Sequence, residues 1–400
     1  MNKLFQPTAH LKISITPDCN NNCPICLNKT TRSRNGQQNS ISNAKIKELI
    51  DQASDLGMIG AYWTGGEPLV EYNKLIELIR YASTKDMGST IVTNGGLIGA
   101  FGNYKTANKE LLKKSGILDL TTWEIVESLV NSGLERIYFS IDCNHTTLQS
   151  ANSNVYDIVP TEVVARAVNT FLNMDFAKKH NLEAFGYKLR FTATYSGIWK
   201  VPTERIIEDI LDILNLSYTK YISDDVQLLG NGKGAALLRR LEVSKLGDAK
   251  NLNNTFLESR KGSELFNISC PQFRLREKAY DGGKYHGDLY IDFNGVVYTC
   301  GNHTFPIGNI YEESLEAIVD GVNNPDKLSS YSKTRKVFNI LLRLSRETGI
   351  GDRSIGEAIK IIHSINPSYI DFMNTKCGSC QCLGTNEKIQ DILISYIEAR

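Results

Sequence analysis

The chain has 400 residues, of which 41% are hydrophobic and 22% charged, the composition of a globular protein that can build a sizeable core. This length exceeds the size at which a single core usually stops growing, so we expect one large domain and a smaller one. The formal net charge of +1 gives no overall attraction to nucleic acid or to anionic lipid, and we expect neither as a partner.

Targeting and membrane signals are missing from the sequence. No apolar stretch approaches the roughly 18 residues of a membrane span, and the N-terminus has no signal-peptide core. We therefore expect a cytoplasmic protein without membrane contact. In that reducing compartment the nine cysteines should serve as metal ligands or catalytic groups rather than as disulfides.

Strand-like and helix-like segments alternate over the first 240 residues. The apolar pattern predicts strands at LKISIT (11–16), MIGAYWTG (58–65), STIVTNG (89–95), ERIYFSID (135–142), KLRFTATYS (188–196) and DDVQLLG (224–230). Amphipathic helices are predicted between them at 43–57, 71–86, 121–133, 161–180 and 203–214. Six strands that alternate with helices indicate an α/β fold, a partial (β/α)6 TIM-like barrel over residues 8–240.

Polar or glycine-bearing loops directly follow the first four predicted strands. They read TPDCNNNC, TGGEP, TNGG and SIDC. Because the carboxyl ends of parallel strands lie at the same edge of a sheet, we expect these four loops to form a single site.

The character of the chain changes near residue 241. Residues 241–268 are polar and are predicted to be a linker. Residues 269–390 are predicted to form a smaller α+β cysteine-rich domain. This domain contains the β-hairpin pattern DLYIDFNGVVYTC and a helical insertion at 330–370. The insertion is expected to present either a solvated basic face or a docking surface for an acidic partner, through Lys333, Arg335, Lys336, Arg343 and Arg346.

Three cysteines, Cys19, Cys23 and Cys26, lie within eight positions of the first loop. Soft thiolate ligands suit either an iron-sulfur cluster or zinc. The triplet alone leaves open both a cluster and a structural zinc site closed by a distant residue.

The second loop carries Gly65, Gly66, Glu67 and Pro68. Paired glycines let the backbone approach a ligand closely because they have no Cβ. Glu67 and the exposed backbone groups could hold an ammonium. Alone, this tetrapeptide is typical of a turn; beside the cysteine triplet it is specific.

With these two motifs the chain resembles the radical S-adenosylmethionine (SAM) superfamily. The resemblance implies that Cys19, Cys23 and Cys26 ligate a 4Fe-4S cluster whose open iron is chelated by the amino and carboxylate groups of SAM. It also implies that residues 65–68 meet the SAM amino group. Further polar contacts to methionine and ribose are implied for four residues after the third and fourth strands, namely Thr93, Asn94, Ser140 and Asp142.

Two departures from the family pattern concern the SAM contacts. Ile25 stands where the family usually has an aromatic residue near adenine, and the segment NHTTLQSANSN lacks the arginine-bearing turn that often follows the fourth strand. These departures bear on the adenine and carboxylate contacts and leave the cluster assignment as it is.

The C-terminal cysteines form a second set. Their order around the hairpin resembles the twitch or SPASM extension of many radical SAM enzymes, which binds auxiliary clusters; a structural zinc is the alternative. One auxiliary 4Fe-4S cluster is implied, with Cys382 left over or replacing Cys380. The implied ligands are Cys270, Cys300, Cys377 and Cys380.

The resemblance implies reductive cleavage of SAM to a 5′-deoxyadenosyl radical that abstracts a hydrogen atom from a peptide or small-molecule substrate. An auxiliary cluster favours an oxidative cross-link or dehydrogenation in peptide or natural-product maturation, with a low-potential donor such as flavodoxin or ferredoxin. The nearest alternative is a redox-neutral epimerase in which Cys143 or Cys382 supplies the hydrogen atom. A non-catalytic, zinc-stabilised binding protein is an alternative of a different class. Since the first strand begins near residue 11, we expect no leader-binding domain before the barrel.

Overall fold

The computed structural model describes most of the predicted barrel and part of the C-terminal region. The described residues are 9–23, 26, 40–148, 158–174, 176, 188–194, 200–223, 226–231, 234–241, 280–281, 284–285, 287–300, 303–325, 329–347, 354–365 and 376–399. Most of the predicted linker, together with Ile25 and Cys270, lies outside this set.

Strands and helices alternate in the described part as the periodicity predicts. The strands are β1 (His10–Thr16), β2 (Gly60–Gly65), β3 (Gly88–Thr93), β4 (Leu134–Ser140), β5 (Thr146–Thr147), β6 (Val159–Pro160), β7 (Leu189–Thr194), β8 (Ser217–Ser223), β9 (Val226–Asn231), β10 (Gly234–Leu241), β11 (Tyr280–Asp281), β12 (Lys284–Tyr285), β13 (Leu289–Ile291), β14 (Val296–Tyr298) and β15 (Pro306–Asn309).

Most of the helices lie on the crossovers between these strands or follow the last strand. They are α1 (Asn43–Asp55), α2 (Tyr72–Ser83), α3 (Gly96–Gly99), α4 (Gly102–Ala107), α5 (Lys109–Ser115), α6 (Thr122–Asn131), α7 (Thr161–Asn173), α8 (Lys200–Leu214), α9 (Leu315–Asn323), α10 (Ser332–Glu347), α11 (Ser354–Ile365), α12 (Lys376–Thr385) and α13 (Glu387–Glu398). A 3₁₀ turn, Pro68–Glu71, directly precedes α2.

One eleven-stranded sheet organises the molecule, in the order β15-β14-β13-β1-β2-β3-β4-β7-β10-β9-β8. The strands from β13 through β10 in this order pair in parallel. This arrangement confirms the α/β class with a parallel core, and it is consistent with a partial TIM-like barrel.

The sixth parallel strand was assigned to the wrong segment. The segment 224–230 was predicted to be that strand, but the strand found there, β9 (Val226–Asn231), is antiparallel to both β8 and β10. The parallel position beside β7 belongs to β10. The physical reason is the short connections: two residues separate β8 from β9 and β9 from β10, and so short a connection joins only antiparallel strands.

The sheet has two different faces. Phe139 and Phe191 are fully buried on the face covered by helices, where the Phe139 ring meets the ring of Phe171 from α7 at a centroid distance of 6.1 Å. The opposite face, here called the open face, carries partly exposed polar side chains. Its residues named below are Lys12, Tyr62, Tyr138, Arg190 and Arg239.

The predicted hairpin is confirmed as β13 and β14, which pair antiparallel across a turn at Asp292–Gly295. Gly295 adopts a φ of +85°, the left-handed region that favours glycine. The hairpin also continues the barrel sheet, because β13 pairs in parallel with β1, Leu11 opposite Leu289. The domain boundaries at 240 and 269 stay a prediction.

The prediction that Arg335 belongs to an exposed basic face of the helical insertion is wrong. That side chain is 1% exposed; its Nε donates to Ile307 O at 2.7 Å and its guanidinium lies 2.7 Å from a carboxylate oxygen of Glu313. Lys333, at the start of the same helix α10, pairs with Asp391 of α13 at 2.6 Å. The helix turns these charges toward acidic groups of its own chain, a tertiary feature that the local sequence does not encode. Among the described residues, no helix combines the length and apolar character needed to cross a bilayer.

Candidate functional site

The loop after β2 is fastened to the loop that carries the cysteine triplet. Gly66 N donates to Thr16 O, and Glu67 N donates to Asp18 O, each at 2.7 Å. Gly65 has a φ of +128°, and a Cβ at this position would lie 2.5 Å from Thr16 O. Only glycine fits at this position, because the two loops approach each other so closely. The two sequence motifs that were predicted to share a site therefore lie side by side.

The sulfur of Cys19 accepts hydrogen bonds from two directions. Asn21 N lies 3.4 Å away, and Asn94 Nδ2, at the end of β3, lies 3.8 Å away. Cys26 N donates to Cys23 O at 3.2 Å, which closes a tight turn between the other two cysteines. The structure therefore brings the predicted residue Asn94 to the triplet.

The three thiols are chemically suited to a thiolate-bound cluster. They lie on one loop at the carboxyl end of a strand, none is in a disulfide, and Cys19 and Cys26 are partly exposed. Backbone and amide donors already point at one sulfur, as the thiolate ligands of iron-sulfur clusters require. In the described part of the chain, no three His, Cys, Asp or Glu side chains are close enough together to hold a single metal ion.

The asparagines between Cys19 and Cys23 hold this loop in place. Asn20 Nδ2 donates to the Tyr104 hydroxyl at 2.8 Å, and Asn94 Nδ2 donates to Asn20 Oδ1 at 2.9 Å. Asn21 Nδ2 donates to His145 O at 3.1 Å. Sequence analysis missed these roles, although three consecutive asparagines in a cysteine loop are a signal for such hydrogen bonding.

Glu67 is buried rather than aimed at a ligand. Its side chain is 1% exposed, and its carboxylate accepts hydrogen bonds from Thr93 Oγ1 at 2.8 Å, Asn94 N at 2.9 Å and Leu69 N at 3.2 Å. Burial raises the pKa of Glu67 to about 7, against the opposing effect of these hydrogen bonds. The carboxylate thus joins the β2 loop to the β3 loop, and its oxygens already accept hydrogen bonds from three donors of the protein.

Asp142 holds His145 against the triplet. Asp142 is 1% exposed; one carboxylate oxygen accepts from Asn144 N at 2.9 Å and lies 2.9 Å from His145 Nδ1. Burial opposes ionisation of His145, but the charges of Asp142 and Cys23 outweigh it and raise the pKa of the imidazole well above its ordinary value. Sequence analysis missed His145; the available signal was the Asp-x-x-His spacing after the fourth strand.

Two other predicted site residues, Ser140 at the end of β4 and Cys143 just after it, lie in different surroundings. Ser140 is partly exposed and lies opposite Thr192 of β7, and its carbonyl accepts from Thr146 Oγ1 at 3.5 Å. Cys143 packs against the hydrophobic core, and its backbone N donates to Thr203 Oγ1 of α8 at 3.3 Å. Burial raises the pKa of the Cys143 thiol. Cys143 therefore lies against the helical layer.

Two of the predicted auxiliary ligands meet at one hydroxyl. The sulfur atoms of Cys300 and Cys380 each lie 3.3 Å from Thr304 Oγ1, and all three residues are buried. Helix α12 packs directly on this segment, because a Cβ on Gly384 would lie 2.0 Å from Thr304 O. Cys270 and the side chain of Cys377 lie outside the described residues, while Cys382 is partly buried against the core.

Comparison with known proteins supports the resemblance for the barrel region. Residues 13–174 match the model of the Radical SAM superfamily, which confirms a radical SAM domain in that segment. The match covers fewer than half of the 400 residues.

Two curated proteins illustrate the similarity of this chain to known sequences. The PqqA peptide cyclase of Granulibacter bethesdensis is 31% identical over 113 residues, which cover 28% of this chain and 28% of the cyclase. The AdoMet-dependent heme synthase of Methanosarcina barkeri is 27% identical over 328 residues, 76% of this chain and 80% of the synthase. The match thus spans less than a third of the peptide cyclase.

Among solved structures, SuiB of Streptococcus suis bound to S-adenosylmethionine aligns over 83% of this chain and 68% of its own. The sequence identity is 15% and the TM-score 0.40. A likeness at this level supports no residue-by-residue transfer, so the site roles depend on the geometry described above.

Proposed function

We propose that this chain is a radical SAM enzyme, with Cys19, Cys23 and Cys26 as ligands of the SAM-binding 4Fe-4S cluster. The observation that supports this most directly is the pair of 2.7 Å backbone hydrogen bonds from Gly66 to Thr16 and from Glu67 to Asp18. They join the cysteine loop to the glycine loop, which is the arrangement that one cluster-bound SAM molecule would need.

The protein's own groups position the cosubstrate. Backbone atoms of residues 65–68 would receive the SAM amino group, because the Glu67 carboxylate is occupied by three donors. The side chains of Asn94 and Ser140 would supply polar contacts to the methionine and ribose. When bound, the cluster and SAM supply one-electron cleavage to methionine and a 5′-deoxyadenosyl radical, which takes a hydrogen atom from substrate.

We further propose an oxidative reaction, a cross-link or dehydrogenation in peptide or natural-product maturation. Two features support it: the shared contact of Cys300 and Cys380 with Thr304, and relatives named as a peptide cyclase and a heme synthase. An auxiliary cluster on these cysteines, completed by Cys270 and Cys377, would accept the second electron. A low-potential donor such as flavodoxin or ferredoxin would provide the first.

The redox-neutral alternative requires a thiol that can reach the substrate radical. Cys143 is hydrogen-bonded to Thr203 and packed against the core, so its position does not favour that role. Cys382, beside the auxiliary cysteines, is the other candidate hydrogen donor.

The test is anaerobic incubation of the reconstituted chain with SAM and reductant, followed by measurement of 5′-deoxyadenosine. We expect its release by the wild-type chain and loss of release in Cys26→Ala. The iron content should be roughly eight atoms per chain if two cubic clusters are present. Zinc without iron, or continued release by Cys26→Ala, would contradict the proposal.

A further inference from the structure

The open face carries a layered set of polar side chains below the proposed SAM site. Tyr138 of β4 lies opposite Arg190 of β7, and one layer nearer the carboxyl ends, Ser140 lies opposite Thr192. Arg239 of β10 lies opposite Thr192, in the same layer as Ser140. Arg239 thus lies in the layer of Ser140, and Arg190 lies in the next layer. Successive layers are about 6.6 Å apart, the distance between residues two apart along a strand.

The positive charge of Lys12 on this face is neutralised by its neighbours. Its Nζ lies 2.7 Å from an oxygen of Asp288 and 2.7 Å from the Tyr290 hydroxyl. Burial opposes ionisation of Asp288, but the hydrogen bond from the His10 side chain and the charge of Lys12 outweigh it and hold the pKa of Asp288 well below its usual range. The charge of Lys12 is therefore already balanced by a carboxylate of the protein.

The Arg190 guanidinium lies over the aromatic ring of Tyr138 on the neighbouring strand. Its central carbon lies 4.8 Å from the centre of the Tyr138 ring, and the Tyr138 hydroxyl is 3.4 Å from the Tyr62 hydroxyl. The Arg190 Nε is buried and meets no hydrogen-bond partner among the residues that the structure describes. An orphaned buried donor on a charged group is costly unless a ligand satisfies it.

Arg239 adds a second positive charge to the same place. Among the described residues it forms no ion pair. The strand register puts Arg239 one layer from Arg190 on the same face, and burial, together with the charge of Arg239, lowers the pKa of Arg190. Two like charges in adjacent layers, neither of which forms an ion pair within the part of the chain that the structure describes, favour an anion from outside the protein.

We propose that Arg190 and Arg239 bind an anionic group of the substrate, a carboxylate or a phosphate, on the open face of the barrel. The proposal depends on the proposed function, because the layer of Ser140 is where SAM is expected to lie. The planar guanidinium of Arg190, oriented by Tyr138, can bind such a group with two parallel hydrogen bonds. Binding there would place the rest of the substrate toward the carboxyl ends of the strands.

The test uses the full chain and two probes, inorganic phosphate and succinate, whose binding is measured by isothermal titration calorimetry. We expect the wild-type chain to bind at least one probe, and Arg190→Gln and Arg239→Gln each to weaken that binding at least about tenfold. Arg190→Lys, which keeps the charge but loses the planar fork, should weaken it less. The preferred probe distinguishes a carboxylate from a phosphate.

Arg166→Gln is the matched control. Arg166 also lies over an aromatic ring, that of Phe101 at 5.1 Å, but it belongs to α7 outside the open face. Its substitution should leave probe binding unchanged. Circular dichroism establishes that each variant is folded, and Arg239→Gln and Arg190→Lys provide independent tests if Arg190→Gln does not fold.

Three results would overturn the inference: no binding of either probe to the wild-type chain, equal weakening by Arg166→Gln, or a loss of SAM affinity instead of probe affinity in the two arginine variants. Release of 5′-deoxyadenosine without substrate tests the proposed function separately. If SAM is cleaved and no probe binds, only the anion site fails. If a probe binds through both arginines and SAM is never cleaved, the anion site stands and the proposed function fails.

Discussion

The side-chain amide of Asn94 lies 3.8 Å from the sulfur of Cys19, although 75 positions separate the two residues. The contact joins the end of β3 to the cysteine loop after β1. It also places a hydrogen-bond donor on a proposed cluster ligand, where donors tune the reduction potential.

Asn94→Ala should therefore lower the reduction potential of the SAM-binding cluster, because a donor to the sulfur stabilises the more negative, reduced state. A redox titration followed by electron paramagnetic resonance measures this. Asn108→Ala is the control, since Asn108 Nδ2 donates to Tyr104 O at 3.0 Å away from the cysteines. An equal potential in wild type and Asn94→Ala would contradict the role of this contact.

The buried carboxylate of Glu67 should make stability depend on pH. Burial raises its pKa from 4.5 to about 7, so between these values the folded state holds a proton that the unfolded chain releases. This contribution to the free energy of unfolding is complete below pH 4.5 and is lost as the pH rises toward 7, by about 1.4 kcal/mol per pH unit.

Urea denaturation of the iron-free chain across this pH window measures the effect. Glu67→Gln should remove the slope, and it should also destabilise the protein by about 1–3 kcal/mol, because its amide would face the Asn94 N–H donor. Glu77→Gln, an exposed acid paired with Lys47, is the control and should keep the wild-type slope. A slope retained in Glu67→Gln would exclude Glu67 as its source.

The Thr304 hydroxyl should influence the auxiliary site. Thr304→Val keeps the side-chain shape but removes the hydroxyl that both Cys300 and Cys380 contact, so we expect a shift in the potential of the auxiliary cluster. Thr299→Val is the closely matched control, because the buried Thr299 hydroxyl has no hydrogen-bond partner in the described part of the chain. Similar shifts in both variants would mean that the Thr304 contacts do not tune the cluster.

The buried pair of Arg335 and Glu313 should be costly to break. Arg335→Ala leaves Glu313 without its guanidinium partner and opens a cavity, so we expect a loss of about 3–5 kcal/mol in the free energy of unfolding. Lys360→Ala, which removes an exposed pair with Glu357, should cost about 0.5 kcal/mol or less. Comparable losses in both variants would show that the Arg335 pair is not a structural contact of this strength.

The sequence predicted the class of fold and the loops of the site because these depend on local signals. Apolar periodicity located β1, β2, β3, β4 and β7 but not the two-residue strands β5 and β6, and the cysteine and glycine motifs directly followed β1 and β2. A strand exists where residues 224–230 were predicted to form one, but its predicted direction was wrong. Direction depends on which neighbour a strand pairs with, and periodicity does not report that.

The tertiary structure alone decided what surrounds the motifs. His145 reaches Cys23, and Asn94 reaches Cys19, only because strand order and register bring distant segments to one edge of the sheet. The same register puts Arg190 and Arg239 in adjacent layers of one face. By itself, the sequence determined which side chains carry the chemistry and that they follow strands. Whether a given side chain is buried, as Glu67 is, or faces the open side, as Arg190 does, depends on long-range packing that no local pattern encodes.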